Sequence, residues 1–133
     1  MSTEILVLAL ALLLQFAQFF AVIIFANLQL PAQKTLSSRD AGRLEDDLNT
    51  RNARLYRALN NHFEGLILYG GTVAVLVLAD RATGFSAICA WVYLGARILY
   101  VPAYYFGLVP WRSLIWFVGF LATFFMLLSA FLP

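Results

Sequence analysis

Four apolar segments, each about long enough to cross a bilayer, take up most of this chain of 133 residues. A membrane-spanning helix needs roughly 20 mostly apolar residues, because each residue adds ~1.5 Å along a path of ~30 Å of hydrocarbon. The segments cover about residues 5–28, 56–79, 85–106 and 111–132. None of them alternates with a period of two, as the strands of a membrane barrel would. The sequence therefore predicts an all-α integral membrane protein, an up-down bundle of four transmembrane helices.

The composition excludes a water-soluble domain. Hydrophobic residues make up 62% of the chain and charged residues only 12%, whereas soluble domains are about 45–50% apolar and about 25% charged. A net charge of +2 gives no indication of a nucleic-acid partner. Cys89 is the single cysteine, which excludes a disulfide framework and a CxxC metal site, so no metal is expected. We expect one membrane domain over residues 1–133, surrounded by membrane lipids.

The positions of the basic residues predict the orientation of the bundle. Arg81 is the only basic residue expected at the end that holds the two termini. By the positive-inside rule, the first and third loops are expected in the cytoplasm and both termini on the other side. Most of the basic residues lie in the long first loop, about residues 30–54, or just after it: Lys34, Arg39, Arg43, Arg51, Arg54 and Arg57.

Polar residues at helical spacing form one stripe on the second helix and another on the third. Steps of three and four residues place side chains on one helix face. Charged side chains in a membrane helix cost roughly 2.5–3.5 kcal/mol each on insertion scales, so they usually mark function. His62 lies off the stripe of its helix, and no metal role is expected for it. The stripes are Arg54, Arg57, Asn61 and Glu64 on the second helix, and Tyr93, Arg97, Tyr100 and Tyr104 on the third.

Glu64 and Arg97 are expected at the same depth in neighbouring antiparallel helices. Counted at the rise of an α-helix, they lie roughly 12 Å and 13 Å from the cytoplasmic ends of their helices. A carboxylate and a guanidinium at one depth offset each other's desolvation, so we expect them to pair. The pair could serve binding, or it could do no more than fix the register of the two helices.

The two stripes together predict a polar cleft that opens to the cytoplasm. Asn61 is expected near Tyr100, Arg57 near Tyr104, and Arg112 at the rim where the fourth helix begins. Several arginines, an amide, a carboxylate and tyrosine hydroxyls suit a small zwitterionic or polyanionic molecule with carboxylates. Glutathione fits this description, but a nucleotide or an anionic lipid headgroup would also bind a cluster of arginines.

Two stretches of the chain resemble the MAPEG family, the membrane-associated proteins in eicosanoid and glutathione metabolism. RLYRALNNHFEGL (residues 54–66) resembles the signature of the family's second helix, with Arg, Asn and Glu at matching offsets. ARILYVPAYYFGLVPWRS (residues 96–113) resembles its second signature. With four helices, a long first loop and this chain length, the resemblance covers essentially the whole protein. It suggests a prokaryotic-type member in a bacterial inner membrane.

The resemblance implies a homotrimer that binds glutathione, as co-substrate, between subunits near the cytoplasmic side. It also implies a glutathione-dependent transferase or peroxidase that acts on a lipophilic electrophile or hydroperoxide. Arg112 matches the residue that stabilises the glutathione thiolate, which makes it the candidate catalytic residue. The positions that match glutathione-binding residues are Arg57, Asn61, Glu64, Arg97, Tyr100 and Tyr104.

Other functions remain open at this point. Gln29 stands where many relatives with transferase activity carry a basic residue near the end of the first helix. A non-catalytic membrane protein of the same scaffold, which binds another anion or a lipid headgroup, is therefore the alternative. A small transporter is disfavoured, because the polar stripes are confined to the cytoplasmic half of the bundle.

Overall fold

The computed structural model describes residues 1–30, 46 and 48–133, in which four helices follow one another. They are α1 (Thr3–Gln29), α2 (Thr50–Leu78), α3 (Gly84–Tyr105) and α4 (Trp111–Ser129). All four are long and apolar enough to cross a membrane, and the described part of the chain contains no strand. The predicted fold class is confirmed: the protein is an all-α, multi-pass integral membrane protein. Lys34, Arg39 and Arg43 lie outside the described residues.

α2 begins earlier than expected, at Thr50 and not near residue 56. Asn49 caps it, because its side chain accepts a hydrogen bond from the backbone N–H of Asn52 at 2.8 Å. Gln29, the last residue of α1, accepts hydrogen bonds from Asn49 N at 3.0 Å and from Asn52 Nδ2 at 2.7 Å. Outside the bilayer a helix needs no apolar residues, so hydropathy alone cannot show this first turn. We call this end of the bundle the long-loop end, and the opposite end the termini end.

A buried polar cluster fixes the termini end. Glu4, in the first turn of α1, is 2% exposed. The Ser86 hydroxyl, from the first turn of α3, donates a hydrogen bond to its carboxylate. Tyr69 of α2 donates to the backbone carbonyl of Glu4 at 3.0 Å. Because three helices meet at one residue, Glu4 sets how α1 packs against α2 and α3.

Ser86→Ala is expected to lower the free energy of unfolding more than Thr83→Ala does. Both variants disturb the capping box in which the Thr83 and Ser86 side chains exchange hydrogen bonds with each other's backbone N–H. Only Ser86→Ala also leaves the buried Glu4 carboxylate without its donor, which should add about 1–3 kcal/mol. Unfolding in mild detergent measures both variants. Equal losses would show that the bond to Glu4 contributes nothing to stability.

The middle of the bundle is packed around two tyrosines. Tyr69 of α2 and Tyr93 of α3 lie parallel, with ring centroids 4.3 Å apart and planes 3° apart. Next to Tyr93, Gly119 of α4 lies so close to Ala96 that a Cβ on the glycine would meet the alanine Cβ at 3.3 Å. The glycine therefore lets α4 pack tightly against α3, which covers the aliphatic part of Arg97 and positions the site.

Candidate functional site

Three residues of the α3 stripe and one from the first turn of α4 stack on one another. We call this stack the Arg–Tyr ladder; its members are Arg97, Tyr100, Tyr104 and Arg112. The Arg97 guanidinium lies over the Tyr100 ring at 4.7 Å. The rings of Tyr100 and Tyr104 follow with centroids 5.5 Å apart, and the Arg112 guanidinium lies over Tyr104 at 4.8 Å. Cations over aromatic faces are attracted by the ring quadrupole. The ladder thus leads from the interior of the bundle to the long-loop end.

Two neutral side chains of α2 hold Arg97, and Glu64 does not, contrary to the expected ion pair. Arg97 is 2% exposed; its Nη1 donates to Asn61 Oδ1 at 3.1 Å and its Nε to His62 Nδ1 at 3.2 Å. Glu64 is exposed, whereas His62 is fully buried. Among the described residues, Arg97 Nη2 has no hydrogen-bond partner. The guanidinium is fixed in place, but no carboxylate of the described residues neutralises its charge.

His62 is the residue of this site whose role the sequence did not reveal. It is fully buried, and its Nε2 lies 2.9 Å from the backbone carbonyl oxygen of Ala11. Since that oxygen can only accept, the proton is assigned to Nε2, and Nδ1 is free to accept from Arg97. His62 therefore joins α1, α2 and α3. A signal did exist, because position 62 continues the buried 3–4 spacing of Leu55, Leu59, Tyr69, Val73 and Leu76.

A cavity of about 320 Å³ lies between α2, α3 and α4. One end is polar and is lined by Asn61, Glu64, Tyr93 and Arg97. Toward the termini end the lining is mostly apolar, with Leu68 from α2 and Phe120, Phe124 and Leu127 from α4 beside Thr72 and Thr123. Its size and its apolar walls with a few polar groups are typical of a small-molecule site. The cavity can therefore hold a molecule with one charged end and one apolar end.

Comparison with known proteins identifies the scaffold. The sequence model of the MAPEG family matches residues 7–132, a stretch that includes all of α2, α3 and α4 and most of α1. The chain belongs to the MAPEG family. This confirms the family expected from the two signatures, and it is a family that includes glutathione transferases and peroxidases. No match to the chain was found among the curated proteins or the solved structures.

In this MAPEG chain, the residues expected to bind glutathione fall into two groups. Asn61, Glu64 and Arg97 line the cavity. Tyr100 and Tyr104, together with the catalytic candidate Arg112, form the part of the ladder nearer the long-loop end. Arg97 belongs to both groups and connects them. Arg57 does not line the cavity; it is exposed on α2 one turn from Asn61, toward the long-loop end.

Arg54, the first residue of the α2 stripe, has a structural role. Its guanidinium lies against Gly107 in the turn between α3 and α4. A Cβ on Gly107 would come within 2.6 Å of Arg54 Nη1, and the glycine has a φ of 66°. The positive φ favours glycine, and a side chain at this position would also displace the Arg54 guanidinium. The start of α2 is therefore packed against the turn that precedes Arg112.

Proposed function

We propose that this MAPEG protein is a glutathione-dependent transferase or peroxidase that acts on a lipophilic electrophile or hydroperoxide. The observation that carries this proposal is the polar end of the cavity, where Glu64 and Arg97 face one space without neutralising each other. A zwitterion satisfies both charges. The γ-glutamyl end of glutathione has an ammonium group that suits Glu64 and a carboxylate that suits the guanidinium of Arg97.

The ladder supplies what the thiol of glutathione requires. A cysteine-type thiol has a pKa of ~8.5, and only the thiolate is a strong nucleophile. Lowering that pKa by two units takes about 2.7 kcal/mol of preferential stabilisation of the anion, which one guanidinium in a partly desolvated site can supply. Arg112 is the candidate, and Arg57, Tyr100 and Tyr104 would bind and orient the rest of the tripeptide. The thiolate then attacks the lipophilic substrate.

The assembly and the orientation belong to the same proposal. Family members are typically oligomeric, and a homotrimer with glutathione between subunits is the arrangement that the resemblance implies. The basic residues of the first loop support a cytoplasmic location for the long-loop end, with both termini on the other side of a bacterial inner membrane. Glutathione would then reach the ladder from the cytoplasm.

A specific observation favours a second candidate, a non-catalytic member that binds another anion or a lipid headgroup. The last residue of α1 is the uncharged Gln29, and its carboxamide oxygen accepts two hydrogen bonds from the start of α2. Gln29 therefore links the end of α1 to the start of α2, and it contributes no positive charge. This candidate predicts saturable binding of an anion without any turnover that depends on a thiol.

Glu64→Gln is expected to weaken glutathione binding about ten- to a hundredfold, the loss typical of one hydrogen bond to a charged group. Calorimetry on the detergent-purified protein, or protection against thermal unfolding, measures the affinity. Asp80→Asn removes an exposed carboxylate at the other end of the bundle and should leave the affinity unchanged. Arg97→Ala should also abolish binding in protein that remains folded. If folded wild-type protein does not bind millimolar glutathione, the second candidate replaces the first.

A further inference from the structure

Two buried polar atoms at the polar end of the cavity have no partner. The Tyr93 hydroxyl and Nη2 of Arg97 make no hydrogen bond within the described residues. Both side chains line the cavity, and each is only 2% exposed. Buried donors without acceptors are unfavourable, and the positive charge of Arg97 adds to that cost. An anionic oxygen of a ligand would satisfy both donors.

Gly65 leaves space beside these two groups. A Cβ built on Gly65 would lie 3.5 Å from the Tyr93 hydroxyl oxygen and 3.7 Å from Nη1 of Arg97. These are ordinary van der Waals distances, so the position is not overfilled. Gly65 itself lines the cavity. A headgroup that occupies this space therefore contacts the hydroxyl and the guanidinium together.

The cavity continues from this polar end into an apolar region toward the termini end. Leu68 and Phe124 of that region are 54% and 46% exposed on the outer surface of the bundle, so the cavity is not closed off there. Every methylene group that such a lining removes from water favours binding. One alkyl chain can therefore lie along the apolar region while its headgroup stays at Arg97.

The charges at the polar end favour a headgroup with a single negative charge. No carboxylate of the described residues neutralises Arg97, which favours an anion over a neutral or cationic group. Glu64 lines the same end, and its carboxylate repels any further negative charge. A phosphate monoester carries about 1.5 to 2 negative charges at pH 7. A carboxylate therefore suits this end better than a phosphate.

We propose that the cavity binds a single-chain carboxylate amphiphile of the fatty acid class, taken from the membrane. Its carboxylate accepts hydrogen bonds from Tyr93 and Arg97, and its chain follows the apolar lining. Because the γ-glutamyl carboxylate of glutathione is assigned to the same guanidinium, the amphiphile competes with glutathione. It undergoes no reaction, since the thiolate lies beside Arg112 at the other end of the ladder. The ligand site is independent of the proposed function, and only the competition rests on it.

Binding measured without glutathione tests the site. Radiolabelled tetradecanoate should bind saturably to the full-length protein in phosphatidylcholine nanodiscs, after correction for its uptake by empty nanodiscs. Methyl tetradecanoate, which has the same chain and no charge, should displace it at least about tenfold less well. Tetradecyl phosphate should also displace it less well than unlabelled tetradecanoate does. Binding that does not saturate, or equal displacement by the ester or the phosphate, would overturn the proposal.

Two stacked tyrosines provide a matched pair of variants. Tyr93→Phe should weaken tetradecanoate binding about tenfold or more, because the carboxylate loses a hydrogen bond. Tyr69→Phe removes the hydroxyl of the ring stacked on Tyr93, but that hydroxyl already donates to the Glu4 backbone carbonyl. It should leave the affinity of folded protein unchanged. Equal affinity in the two variants would contradict the contact with Tyr93.

Glu64→Gln should have opposite effects on the two ligands. It should tighten tetradecanoate binding about three- to tenfold, because it removes an exposed, partly screened negative charge near the carboxylate. The same variant is expected to weaken glutathione binding, since glutathione loses the partner of its ammonium group. Asp80→Asn should change neither affinity. Weaker tetradecanoate binding in Glu64→Gln would overturn the proposed position of the carboxylate.

Competition separates this inference from the proposed function. Glutathione should displace tetradecanoate from the wild type, and tetradecanoate should raise the apparent KM for glutathione without changing kcat. If glutathione does not bind but tetradecanoate binds with the expected pattern of variants, the proposed function fails and the amphiphile site stands. If glutathione and tetradecanoate bind together without displacing each other, the shared site at Arg97 is wrong.

Discussion

Arg112→Ala is expected to lower glutathione-dependent turnover about a hundredfold or more, a loss typical of removing a group that stabilises developing negative charge. Arg112 lies at the outer end of the Arg–Tyr ladder, with its guanidinium held over the Tyr104 ring at 4.8 Å. Without it, the pKa of the bound thiol should rise toward ~8.5, the value of a free thiol. The pH dependence of kcat measures this directly, because its midpoint should move to higher pH in the variant.

The control for Arg112 is another arginine stacked on an aromatic ring at the same end of the bundle. Arg51 lies over the Phe106 ring at 5.8 Å and takes no part in the ladder. Arg51→Ala should therefore keep the turnover and the pH profile of the wild type. Arg112→Lys retains a positive charge and should recover part of the activity. Wild-type turnover in Arg112→Ala would show that another group stabilises the thiolate.

His62→Leu is expected to reduce the free energy of unfolding by about 3 kcal/mol or more, because it leaves buried polar and charged groups without partners. The leucine removes the acceptor of Arg97 Nε and the partner of the Ala11 carbonyl oxygen together. Unfolding in mild detergent, followed by circular dichroism, measures the loss.

His62→Asn is the variant that separates the two bonds. The Asn side-chain oxygen can take the position of Nδ1 and still accept from Arg97, while the contact with Ala11 is lost. We expect a smaller loss of stability for Asn than for Leu, and retained glutathione binding. Equal stability of the two variants would mean that the bond to Arg97 does not stabilise the bundle.

Hydropathy and spacing predicted the fold because the bilayer sets the length of each helix. All four helices were expected, and the clearest error was the start of α2. The turn that contains Arg51 lies outside the apolar segment, where a helix depends on a cap at Asn49 and on the tie from Gln29. Hydropathy along the sequence cannot reveal hydrogen bonds of this kind.

The candidate site was predictable as two stripes at one depth and not as a set of contacts. Spacing placed Asn61, Glu64 and Arg97 at one cavity, but it could not give the direction in which each side chain extends. Arg97 is therefore held by Asn61 and His62, where a pair with Glu64 was expected. The stripe pattern leaves His62 out, although its place on the buried face of α2 is what brings it to Arg97.

The cavity itself was not predictable, because it depends on residues that leave space. Gly65 opens it on α2, and Gly119 lets α4 approach α3 closely enough to form its wall. The aromatic residues of that wall have no charge pattern that would distinguish them from lipid-facing residues. Only the packing of three helices shows that they face a common space.

Leu68, Phe120 and Phe124 line the cavity and are also 54%, 38% and 46% exposed on the outer surface of the four-helix bundle. A lipophilic ligand of this cavity partitions into the hydrocarbon phase, and its concentration in that phase determines the occupancy. Partitioning makes the apparent KM, expressed per volume of suspension, depend on how much lipid or detergent is present. Expressed as a mole fraction in the bilayer, the same constant should stay fixed.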